Sequence, residues 1–90
     1  MCSWITHKTP IRGVGRGAAG WFDVTQANVS FDHPSHAWDD HALLLDFVNE
    51  AGGPGARIAV EVDAKSGRAL AEAILKALDV GEAEHALAEA

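Results

Sequence analysis

Ninety residues with thirteen carboxylates against seven Lys and Arg give one small acidic domain with a net charge of −6. That charge disfavours phosphate backbones and anionic membrane surfaces, so neither nucleic acid nor membrane is an expected partner. The single cysteine, Cys2, excludes an internal disulfide framework.

The start, MCSWITHKTP, lacks a basic segment followed by an apolar one. No secretory leader is therefore expected, and the cytoplasm is the expected compartment. Ser3 to Arg12 reads as a first strand, with Pro10 suggesting an edge position. Gly13 to Gly20 is glycine-rich and reads as a loop. Phosphate-binding loops require a helix next. Here another strand-like run follows, so no nucleotide cofactor is expected.

That second strand runs from Trp21 to Asp32. Its apolar parity begins at Phe22 and Val24 and changes to Ala27, Val29 and Phe31. A phase change of this kind indicates a bulge, here near Thr25 and Gln26. His41 to Val48 and Arg57 to Val62 are the third and fourth strands, each alternating regularly. A helix is expected from Ala64 to Val80, capped by Asp63 and stopped by Gly81. The domain then spans residues 1–81, and 82–90 form an acidic tail, helical or frayed.

The expected fold is α+β: a four-stranded antiparallel meander with one C-terminal helix packed on one face. Parity fixes two registers. The first pairs Phe31 with Leu43, Val29 with Leu45 and Ala27 with Phe47. The second pairs Leu43 with Val62, Leu45 with Val60 and Phe47 with Ile58. Both put one apolar set on one face, as sheet geometry requires. The other face carries Leu44 and Val48, which a monomer would expose. A homodimer through that face is expected.

Chemistry concentrates between Asp32 and His41, where three imidazoles and three carboxylates fall within ten positions. The segment joins two strands, and functional groups gather on such connections. Imidazole is the commonest ligand of zinc and iron, and a catalytic zinc takes three protein ligands plus water. His33, His36 and His41 are candidate ligands of a divalent metal. Asp32, Asp39 and Asp40 are candidate ligands or orienting carboxylates, with Asp32 and Asp40 the candidates for proton transfer.

A first hairpin with Ile5 opposite Val29 would bring Cys2 to the same end, as a fourth ligand or nucleophile. Trp38 is a candidate pocket wall or loop anchor, and Arg16 and Lys8 are candidate contacts for an anionic small molecule. His7 reads as structural and His85 as solvated. Three readings stay open: a metal-dependent hydrolase, lyase or isomerase, a metal-free acid–base or ligand-binding site, and a non-catalytic dimeric interaction domain.

Met1-Cys2, Gly20-Trp21-Phe22, Thr25-Gln26-Ala27-Asn28-Val29, Phe31-Asp32-His33-Pro34, Asp46-Phe47-Val48-Asn49-Glu50 and Gly53-Pro54-Gly55-Ala56-Arg57 together resemble a family of short actinobacterial proteins of unknown function. The resemblance covers residues 1–80. It implies a bacterial, cytosolic, stand-alone domain and attaches no activity.

Overall fold

In the computed structural model of the chain, residues 5–38 and 40–89 are described, with side chains for 6–38 and 40–86. Cys2 and Asp39, both expected near the site, lie outside the described residues. The elements are β1 (Ile5–Gly17), β2 (Gly20–Asp32), β3 (Ala42–Val48), a 3-10 turn (Glu50–Gly52), β4 (Arg57–Val62) and α1 (Ala64–Glu89). The strands form one antiparallel sheet in chain order, β1-β2-β3-β4. The α+β meander with a C-terminal helix is therefore the observed architecture. No helix among the described residues is long and apolar enough to cross a membrane.

Both parity-derived registers occur as expected, with Phe31 opposite Leu43 and Leu43 opposite Val62. Four expectations need correction. The glycine-rich segment is not a loop: Gly13 to Gly17 continues β1, and only Ala18 and Ala19 turn the chain. Gly15 has a packing reason, because a Cβ there would lie 2.9 Å from Ile58 Cδ1 and 3.1 Å from Val24 Cγ2. The hairpin tip thus curls against β4, and a side chain would hold it away.

Second, Ile5 pairs with Phe31 rather than Val29, and the irregularity falls between Pro10 and Gly13 on β1. Ile11 and Arg12 together face Thr25, so the extra residue sits on β1 while its partner strand shows the changed parity. Val24 and Ala27 are both buried, which is that phase change seen as packing.

Third, α1 runs through Gly81 to Glu89. Asp63 does cap it, accepting from the Ser66 amide at 2.8 Å. The Ser66 hydroxyl and amide, with Lys65 nearby, hold the Asp63 carboxyl below its usual range. Gly81 costs an interior helix about 1 kcal/mol relative to Ala, which the good helix formers around it outweigh.

Fourth, Leu44 and Val48 are half-buried. Exposed apolar side chains lie elsewhere: Ile11, Val14 and Trp21 on the β1–β2 hairpin, Trp38 on the connection after β2, Phe31 and Val60 on the helix side of the sheet, and Leu70, Ile74, Leu75, Leu78 and Val80 on α1. Between residues 64 and 86, only Gly67 is buried. A Cβ on Gly67 would stand 2.7 Å from Leu43 Cδ2, so the helix meets the sheet at its second turn with no room for a side chain. The buried apolar core of the described residues is small: Val24, Ala27, Ala42 and Ala56.

Candidate functional site

The connection between β2 and β3 is shaped by one carboxylate. Glu61, on β4, accepts from three successive backbone amides: Ser35 at 2.7 Å, His36 at 2.8 Å and Ala37 at 3.0 Å. These donors, the Ser35 amide foremost, hold the Glu61 carboxyl below the ordinary glutamate range. Glu61 shares its face with Leu44 and Ala42. The connection therefore leaves β2, reaches across β3 to β4, and returns. This path accounts for the complete burial of Ala42. At its start, Asp32 accepts from the His33 amide at 2.7 Å.

The same path sorts the histidines. His33 and His41 come together, with ring centroids 4.4 Å apart. His41 also stacks on Phe31 at 5.7 Å, which ties the pair to the helix side of the sheet. His33 Nδ1 donates to the Asp40 backbone oxygen at 2.8 Å. The Asp40 carboxylate lies 3.8 Å from His33 Nδ1 and 3.5 Å from His41 Nδ1. One ligating atom from each of His33, Asp40 and His41 lies within 4.8 Å of the others. A carbonyl on Nδ1 is the common orienting partner of a metal-binding imidazole, because it leaves the other nitrogen free to ligate.

His36 is not in this group. Its backbone is bound to Glu61, and it lines a separate open hollow of about 530 Å³ with Ser35, Ala37, Trp38, Arg57, Ala59 and Glu61. Of the expected trio, His33 and His41 come together beside Asp40, and His36 stands apart. Asp32 orders the chain and stands outside the trio.

Trp38 is fully exposed, so it walls the hollow and does not anchor the loop. Arg16 pairs with Trp21 beside the β1–β2 turn, at the opposite end of the sheet from Asp32, and takes no part in the site. Lys8 sits opposite Asn28 on the edge strand, in another hollow with Asn49 and Pro54. Arg57 lines the hollow with His36, and its Nε and Nη2 both donate to Asp46 Oδ1, at 3.0 and 2.7 Å.

Two contributors escape a reading of the sequence. Glu61 fits the alternation of β4 as a charge on the polar face, which is an ordinary sight. Only the fold-back of the connection gives it three amides. Phe31 reads as a core residue and becomes the platform for His41.

A family profile described as "Family of unknown function (DUF6295)" matches residues 1–89. The chain belongs to this family. No curated protein and no solved structure matches it. Membership in DUF6295 supplies no chemistry. The chemistry rests on the site geometry alone.

Proposed function

We propose that this DUF6295 member is a small cytoplasmic protein that binds one divalent metal through His33, Asp40 and His41. The carrying observation is the convergence of those three side chains to within 4.8 Å. Three protein ligands on an exposed sheet end leave coordination positions for water and substrate. That is the arrangement of metal-dependent hydrolases, lyases and isomerases, not of closed structural zinc sites. An open apolar groove beside the site, lined by residues that include Val29, Phe31, Leu43 and Ala71, meets His41 through Phe31.

Calorimetric titration of zinc, manganese and iron(II) into chelator-treated, tag-free protein tests the reading. One metal per chain is expected. His33→Ala and His41→Ala should each weaken binding by about tenfold or more. His36→Ala should leave it unchanged. Absence of stoichiometric binding to the wild type sinks the proposal.

A second reading is supported by the same contacts: two imidazoles sharing one carboxylate can act as general acid and base without metal. It predicts ligand binding or turnover that survives chelators and is lost in His41→Ala.

A further inference from the structure

The helix α1 is strongly sided but has little to lie on. Lys65, Arg68, Glu72, Lys76 and Asp79 follow one line along it, while Gly67, Leu70, Ala71, Ile74 and Leu78 follow the opposite one. The apolar line begins on the sheet, where Gly67 meets Leu43, and then leaves it. Ile74 is 51% exposed and Leu78 52%. At 26 residues the helix is about 39 Å long, against about 24 Å for the seven residues of β3. The sheet has a matching deficit, since Phe31 and Val60 are exposed on the face where the helix starts.

The size of the deficit indicates what fills it. A compact chain of 9.5 kDa exposes about 5,000 Å². This one exposes 6970 Å², an excess of about 1,900 Å². Its radius of gyration is 15.4 Å, where about 12 Å is usual for 90 residues. A small ligand covers only a fraction of that area. Two copies, each burying its excess, share an interface of about 3,800 Å² in total, within the range of obligate homodimers.

The two uncovered surfaces are also complementary in kind: an apolar helix stripe and an apolar sheet face. A two-fold axis satisfies both at once, because each chain offers one of each. The outer line of the helix carries three basic and two acidic residues, so that line itself adds no negative charge to the net −6 of each chain.

We propose that the chain is an obligate homodimer in which the helix of each copy, through Leu70, Ile74 and Leu78, packs on the sheet face of the other, beside Phe31 and Val60. This face is opposite to the one carrying Leu44 and Val48.

Light scattering and sedimentation of the wild type at micromolar concentration should give twice the 9.5 kDa chain mass. Ile74→Lys combined with Leu78→Lys should halve that mass or abolish folding, while Glu72→Lys on the charged line should leave the dimer intact. Because the double variant can simply unfold, a second measurement uses the wild type alone. Ordinary and nitrogen-15 chains are mixed by refolding and cross-linked between amines and carboxylates. Links from Lys76 to carboxylates of the sheet should join heavy to light chains. A folded wild-type monomer overturns the proposal and leaves the face to a different protein. A dimer whose helix-to-sheet links all lie within one copy overturns it as well.

Discussion

Gly15→Val should destabilise the protein by about 2 kcal/mol, the usual scale of overpacking. The new Cβ meets Ile58 Cδ1 at 2.9 Å and Val24 Cγ2 at 3.1 Å. Ile58 can turn its terminal methyl away. Val24 cannot, because its branched side chain has one comfortable rotamer in a buried site. The hairpin tip must then lift from β4 and expose Phe22 and Val24 together. The thermal midpoint should fall by about 10 °C at fixed protein concentration. Gly13→Val is the matched control: nothing lies within 4 Å of a Cβ there, so it should be neutral or slightly stabilising. Equal effects at the two positions would refute the packing account.

Glu61→Ala should free the connection between β2 and β3. Three amide donors lose their common acceptor. Hydrogen exchange at Ser35, His36 and Ala37 should speed up by about an order of magnitude or more, while exchange in β3 stays slow. Acid should reproduce the effect. The folded carboxyl titrates below its ordinary value, so its contribution is complete above about pH 4.5. It is lost as pH falls through the depressed folded value. Protection of those three amides that persists unchanged in Glu61→Ala, or down to strong acid, would show that something else holds the loop.

The registers of β2, β3 and β4 were legible because parity is unforgiving. Shifting Leu43, Leu45 and Phe47 by one residue turns all three to the wrong face. The first strand was harder, since Gly13, Gly15 and Gly17 carry no side chains to show a period. Their strand conformation comes from pairing with Gly20 to Val24 across the hairpin, and only Gly15 among them approaches Ile58, which is distant in sequence. The helix end was misread for a related reason. Gly81 resembles a cap, but one glycine does not stop a run of Ala, Leu and Glu.

The density of imidazoles and carboxylates between Asp32 and His41 was legible from composition alone. The separation of His36 was not, because it depends on which strand captures the loop amides. That choice falls to Glu61, 24 to 26 positions downstream. Local spacing carries no trace of it.

The strand order has a kinetic side. Each strand pairs with its immediate chain neighbour, across turns of two, nine and eight residues. Closing such short spans carries a small entropic cost, and the sheet can zip up hairpin by hairpin without waiting for distant segments. The C-terminal helix, held at Gly67, contributes little to that zipping. Sheet assembly should therefore be the early event in refolding, insensitive to truncation of the chain after residue 81, and the docking of the helix a separate and later one.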